Sequence, residues 1–161
     1  MTESELKNYI QAIRPADRDA MAAARQRQAQ LAKPPGSLGA LEDISVRLSG
    51  ITGRLCPEMN RCRVAVFAAD NGVVDEGVSC APRSVTLQQA VNMTRRKTGM
   101  SAMAASFGDD VAVVDVGIAA LVPPVGILDR KVRPGTGNIA VEDAMTRQEV
   151  LAALAAGMEQ S

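Results

Sequence analysis

Histidine and tryptophan are absent from this 161-residue chain, which has one tyrosine and two phenylalanines. Without histidine there is no imidazole to act as general base, to partner a serine or cysteine nucleophile, or to ligate a metal. With so few aromatics there is little on which nucleic-acid bases could stack. The core must come from Ala, Val, Leu, Ile and the eight methionines. Charge of one sign is missing too: 18 Lys and Arg balance 18 Asp and Glu, so no basic face for nucleic acid is expected. Cys56, Cys62 and Cys80 are sparse, odd in number and without C-x-x-C spacing. That argues against zinc and dithiol redox chemistry and makes reduced thiols the expectation. Met1 to Lys7 lacks the apolar core of a secretory signal. The longest nearly apolar segment, Val111 to Leu128, is broken by Asp115, two glycines and Pro123-Pro124. The expectation is a soluble, cytoplasmic protein with no membrane span.

What is present centres on Arg63 to Val85. Val64 to Ala69 is a continuous apolar run and reads as a strand buried on both faces, the kind a parallel sheet needs. It stops at Asp70-Asn71-Gly72, where Asn-Gly signals a turn because both residues tolerate positive φ. Asp70, Asp75 and Glu76 cluster at the strand's C-terminal end, where open α/β sheets bind ligands. The same carboxylates also suit a solvated surface loop. Without histidine, acid–base work most readily falls to an Asp or Glu of raised pKa, and the spacing does not say which acid is buried.

The rest of the chain supplies helices and a second strand. Thr2-x-x-Glu5 opens a helix to Ile13 with Leu6, Ile10 and Ile13 at helical spacing. Asp17 caps a second helix, Arg18 to about Ala32, whose apolar stripe is thin. Lys33-Pro34-Pro35-Gly36-Ser37-Leu38-Gly39 fixes an irregular backbone path. Leu41 to about Ile51 is helical, closed by Gly50 and Gly53. After Pro82, Ser84 to Thr94 is helical, with Thr86-x-x-Gln89 as a second capping-box pattern. Arg95-Arg96-Lys97 is a short basic cluster, and Met100 to Phe107 a short helix ended by Gly108. Val111 to Ile118 is the second buried strand, with Asp115 near its end. The helices between the two strands make a right-handed β-α-α-β crossover, so the strands should be parallel and adjacent or nearly so. Ile127 to Val132 is a third strand candidate, and Thr146-x-x-Glu149 caps a last helix, Arg147 to about Met158, apolar at Val150, Leu151, Leu154 and Met158.

Gly135-x-Gly137-x-x-Ala140 fits a loose dinucleotide fingerprint. The strand before it is short, no helix opens directly on its glycines, and Glu142 and Asp143 lie too close for a ribose-binding acid. A glycine loop near a ligand, or a structural turn, fits better.

Taken together, Lys33–Gly39, Ala69-Asp-Asn-Gly-Val-Val-Asp-Glu-Gly-Val78, Val85-Thr86 with Gln89-Ala90, Asn92-Met93-Thr94, Val114-Asp-Val-Gly-Ile118, and Arg133 with Gly135–Ala140 and Ala144-Met145 resemble the nicotinate-nucleotide–dimethylbenzimidazole phosphoribosyltransferase family. The segments occur in the family's order and span nearly the whole chain. The resemblance implies attack of a benzimidazole-type base on C1′ of nicotinate mononucleotide, giving α-ribazole 5′-phosphate for the lower loop of cobalamin. It implies no cofactor and no metal, small-molecule substrates, and a homodimer. The implied fold is α/β: a Rossmann-like parallel sheet flanked by helices, with residues 1–55 as a helical segment of a smaller domain and 56–161 as the first part of the sheet domain.

Family members are about twice this long, and their general-base glutamate and phosphate-holding segment lie in the half absent here. The resemblance therefore places no catalytic residue in this chain. It places Ala81, where a well-known member has serine, and Gln89 in the base pocket, with Asp70 and Glu76 as nearby substrate-binding candidates. Asn71 stands where the family's loop has a histidine variant. The chain is expected to be inactive alone. A non-catalytic binding module or partner half-protein is one alternative, and a dinucleotide-dependent oxidoreductase using the Gly135 loop another.

Overall fold

A computed structural model describes residues 1–58, 62–121 and 125–161. The chain forms two compact units, Ser4–Asn60 and Met1–Glu3 with Arg61–Ser161.

The smaller unit contains α1 (Glu3–Ala12), α2 (Arg18–Gln30) and α3 (Ala40–Thr52). The Asp17 carboxylate opens α2 by accepting the amides of Asp19 and Ala20 at 2.9 and 3.0 Å. Helices α2 and α3 pack on each other around Ala24, Val46 and Ser49. Gly50 does not close α3 but lies buried within it. A Cβ there would sit 2.6 Å from Met21 Cγ, so the glycine admits the α2 side chain. The helix ends at Gly53, whose left-handed φ of 66° suits a residue without Cβ. The stripe read on α1 does not reach a core: the helix buries no residue, and Tyr9, Ile10 and Ile13 are exposed.

The larger unit is built on a parallel sheet of order β1-β2-β3, with β1 at Arg63–Ala69, β2 at Asp110–Gly117 and β3 at Leu128–Asp129. Val64 pairs with Val111 and Phe67 with Val114, and the register shifts by one residue between Ala68 and Ala69. The crossover runs through α4 (Ser84–Thr94) and α5 (Gly99–Phe107). Ala90, Val113, Ile118 and Ile127 form the buried core, with Leu87, Val91 and Met93 packed against it. β2 is the central strand, and Val113, Val114 and Asp115 on it are buried. β1 departs from the expectation of burial on both faces: Ala65 and Phe67 are exposed. It is an outer strand, met by α4, and its Ala65–Phe67 side has no cover among the described residues.

Other boundaries differ for local reasons. β3 is shorter than the apolar pattern from Ile127 to Val132, although Arg130 and Val132 continue the pairing with amides to the carbonyls of Asp115 and Val116. Thr86 and Gln89 form no capping box, because α4 begins earlier, with Arg83 in helical backbone at the N-cap. α5 instead has a capping box of Thr98 and Ser101, masked in the sequence by serine standing where Glu or Gln is sought. The box of Thr146 and Glu149 opens α6 (Arg147–Met158) as read. Ala156 is buried on that helix, whereas Val150 and Leu154 are exposed. Among the described residues no helix is long and apolar enough to cross a membrane.

Candidate functional site

The C-terminal ends of the strands converge on Asp70. This residue is 6% exposed. Its amide donates to the Gly117 carbonyl at 3.0 Å, continuing the β1–β2 ladder. Its Oδ2 accepts the Ala119 amide at 2.7 Å, and its carbonyl accepts the Thr136 amide at 3.0 Å. Asp70 thus ties together the turns that follow β2 and β3.

The chain after Asp70 winds into a short 3₁₀ turn, Gly72–Glu76. Asn71 is extended, with φ −114°, and Gly72 is not among the positive-φ glycines, so Asn-Gly makes no positive-φ turn. Gly72 is needed for a different reason: a Cβ there would stand 2.6 Å from the Gly137 carbonyl carbon. The two loops are joined further by Gly72 N–H to Thr136 Oγ1 at 3.1 Å and by Asn138 Nδ2 to Glu76 Oε1 at 2.6 Å. The amides of Gly135, Thr136 and Gly137 donate to the carbonyls of Gly117, Asp70 and Ala144. They are therefore not presented to a phosphate, and no helix opens on Gly135–Ala140. The dinucleotide reading of this loop does not hold: Gly137 serves close packing, a Cβ there standing 2.8 Å from the Asp143 carbonyl oxygen, and Gly135 serves its left-handed φ of 76°.

Asp115 closes the neighbouring strand end. It is fully buried and accepts the amides of Gly117 and Ile118 at 3.0 and 2.8 Å. Lys131 Nζ lies 2.7 Å from its Oδ2 and also donates to the Ile118 carbonyl. Sequence reasoning notes the acid and misses the lysine. The available signal is Lys131, in the third-strand candidate between Arg130 and Arg133, where a buried acid at the end of the second strand needs a counter-charge.

Between the Asp70 loop and α4 lies a cavity of about 380 Å³. Val73, Val74, Val78 and Val85 supply apolar wall, and Asp70, Thr86 and Gln89 supply polar edge. Asp70, Ala81 and Gln89, read from the sequence as site residues, all line it. Glu76 does not; its carboxylate faces Asn138. Asp75 pairs with Arg83 at 2.9 Å on the rim. Helix α4 is divided lengthwise: Leu87, Ala90 and Val91 face the core, whereas Val85, Thr86 and Gln89 face the cavity. Thr86, a cap by its sequence pattern, is a cavity residue; its i, i+3 spacing to Gln89 is the signal for that role. The arrangement suits a small, largely apolar molecule held by a few polar contacts. Among the described residues no group of His, Cys, Asp and Glu is placed to hold a metal ion.

Comparison with known proteins gives this geometry a family. Residues 13–161 match the family described as Phosphoribosyltransferase. The chain is 45% identical over 155 residues to the nicotinate-nucleotide–dimethylbenzimidazole phosphoribosyltransferase of Desulforudis audaxviator, an overlap of 96% of this chain and 44% of that one. It is 46% identical over 144 residues to the protein of that name from Yersinia enterocolitica, covering 89% of this chain and 41% of the relative. The crystal structure of the protein so named from Thermus thermophilus superposes with a TM-score of 0.79 at 46% identity, covering 89% of this chain and 44% of that one. The chain therefore spans under half the length of these relatives. With the match running from residue 13 to residue 161, the chain belongs to the phosphoribosyltransferase family that includes the nicotinate-nucleotide–dimethylbenzimidazole enzymes.

Proposed function

We propose that this chain is the N-terminal portion of a nicotinate-nucleotide–dimethylbenzimidazole phosphoribosyltransferase and that the cavity beside α4 holds the benzimidazole-type base. The observation that carries the reading is the cavity itself: an apolar slot at the C-terminal end of β1, lined by Asp70, Ala81 and Gln89. In the proposed reaction a ring nitrogen of the base attacks C1′ of nicotinate mononucleotide. The bond from C1′ to the pyridinium nitrogen breaks, and nicotinate leaves with that electron pair. The azole N–H proton passes to a carboxylate, and α-ribazole 5′-phosphate remains.

In this reading the chain contributes the base slot. Gln89 offers an amide with no side-chain partner among the described residues. Ala81 keeps that part of the wall small and apolar. Asp70 shapes the floor through its bond to Ala119. Glu76 stands outside the slot at the end of the Asp70 loop, joined to the second loop through Asn138. The whole protein works in the cytoplasm as a homodimer on these small molecules, with no organic cofactor. The carboxylates near the cavity are engaged by protein groups, Asp70 by Ala119, Asp75 by Arg83 and Glu76 by Asn138. That favours a second reading for the isolated chain: it binds the base without turning it over.

The test is a calorimetric titration of residues 1–161 with 5,6-dimethylbenzimidazole, repeated on Ala81→Phe. Saturable binding abolished by the cavity-filling substitution is expected. Binding unaffected by Ala81→Phe would place the base elsewhere.

A further inference from the structure

Hydroxyls on helices usually turn back onto the preceding turn, and this chain shows the habit repeatedly. Thr52 Oγ1 donates to the Leu48 carbonyl at 2.8 Å, Thr94 Oγ1 to the Val91 carbonyl at 2.8 Å, and Ser106 Oγ to the Met103 carbonyl at 2.7 Å. In the cavity, Ser79 Oγ is likewise committed, donating to the Ala81 carbonyl at 2.9 Å. Among the helical hydroxyls of the described residues that are not exposed, Thr86 is the exception. It lies on α4, half-buried and lining the cavity, and its hydroxyl makes no hydrogen bond among the described residues. Nor does it serve the core, which α4 meets through Leu87, Ala90 and Val91.

The Thr86 hydroxyl keeps solvent access, so a ligand group that reaches it exchanges a water for a direct hydrogen bond. Its position is also constrained, because a β-branched residue in a helix has few χ1 choices. Gln89 stands one turn further along the same face, with Cβ atoms about 5–6 Å apart at this spacing. The two polar groups can therefore engage two separate points on one flat molecule whose remaining surface lies on Val73, Val74, Val78 and Val85.

We propose that Thr86 is a specificity-determining residue of the base slot, its hydroxyl hydrogen-bonding a polar substituent on the benzo ring of the incoming base. The inference rests on the reading of this cavity as a benzimidazole site. It predicts that the slot favours a hydroxylated benzimidazole over a methylated one of the same shape. Ala81, with no side-chain hydroxyl, cannot supply that contact, and Ser79 has already committed its own.

The probes are 5-hydroxybenzimidazole and 5-methylbenzimidazole, titrated into the 161-residue chain. Wild type should bind the hydroxyl form roughly 3–10-fold more tightly, the range of a single net hydrogen bond. Thr86→Val, which keeps the shape and removes the hydroxyl, should abolish that ratio, and Thr86→Ser should keep it. The comparison of the two ligands on wild type needs no variant to fold, and equal affinity there overturns the proposal. A ratio that survives in Thr86→Val also overturns it. If neither base binds wild type, the cavity reading falls and this one with it. If both bind and Ala81→Phe blocks them, yet the hydroxyl preference is missing, only the Thr86 assignment falls.

Discussion

Gly72 and Gly137 meet backbone to backbone: a Cβ added to Gly72 would lie 2.6 Å from the Gly137 carbonyl carbon and 2.7 Å from the Asn138 nitrogen. Neither atom belongs to a side chain that can swing away. Gly72→Ala should therefore force the Asp70 loop and the Thr136 loop apart and break the bond from Gly72 N–H to Thr136 Oγ1. The expected loss is about 1–3 kcal/mol, read from denaturant unfolding. Gly99→Ala is the control. Nothing lies within 4 Å of a Cβ there, and its φ is not positive. It should be neutral or stabilise by about 0.4–1 kcal/mol.

The Asp115–Lys131 pair gives a second stability test. Asp115 is fully buried, and the Lys131 side chain is 12% exposed. Lys131→Met leaves a buried carboxylate without its counter-charge and should cost about 3–5 kcal/mol. Adding Asp115→Asn to Lys131→Met should recover part of that loss, because the amide carries no charge and its oxygen can still accept the Gly117 and Ile118 amides. A double variant no more stable than Lys131→Met would show that the charge is not what matters.

These two arrangements also show what can be read from the sequence. The strands, the parallel crossover and α6 with its capping box follow from apolar runs and cap residues that act within a few positions. The convergence of Asp70, Ala81 and Gln89 on one cavity follows from a loop joining a strand end to a helix face. Gly72 reads as a turn residue because its actual neighbour, Gly137, is 65 positions away, and no local pattern announces it. Lys131 escapes notice for the same reason: its role depends on a strand laid beside it by the fold. The exposed face of β1 reads as buried because an apolar run reports which side chains prefer burial and does not report what is there to cover them.

Acid should weaken the N-terminus of α6. The Thr146 amide, then the Thr146 hydroxyl, hold the Glu149 carboxyl below the usual carboxylate range, with Arg133 adding to the effect. A folded-state pKa below the unfolded one contributes stability that is present above the unfolded pKa, about 4.3 for glutamate, and is lost as pH falls through the folded value. The melting temperature of Glu149→Gln should lie below that of wild type at pH 7. The two should converge as the pH drops below about 4.3. A gap that stays constant down to the acid limit would show that the cap works without its charge.

The uncovered side of β1 should make the isolated chain self-associate. Phe67 is 44% exposed on an outer strand whose other neighbour is lacking among the described residues. An open strand edge beside an exposed aromatic is a template for pairing. Light scattering should show mass rising with protein concentration, and Phe67→Lys should shift the chain towards monomer. Unchanged association in that variant would move the sticky surface to Val150 and Leu154 on α6.

The isolated chain should bind the base and fail to turn it over. Displacing nicotinate from C1′ builds positive charge on the ribose and frees a proton from the attacking azole. A positioned base for that proton typically contributes ~10²–10⁴-fold. Here Asp70 Oδ2 accepts from Ala119, Glu76 Oε1 from Asn138 and Asp75 Oδ2 from Arg83. Each keeps a second carboxylate oxygen, but Asp75 and Glu76 do not line the cavity and Asp70 is 6% exposed. Phosphate positioning matters as much, since holding both reactants in attack geometry is worth roughly 7–11 kcal/mol in favourable systems. The glycine loop cannot supply it while the Gly135, Thr136 and Gly137 amides are bonded to protein carbonyls. Nicotinate release from its mononucleotide, measured with dimethylbenzimidazole and purified residues 1–161, should stay at the uncatalysed level. Turnover near that of a full-length relative, abolished by Glu76→Gln, would instead make Glu76 the base.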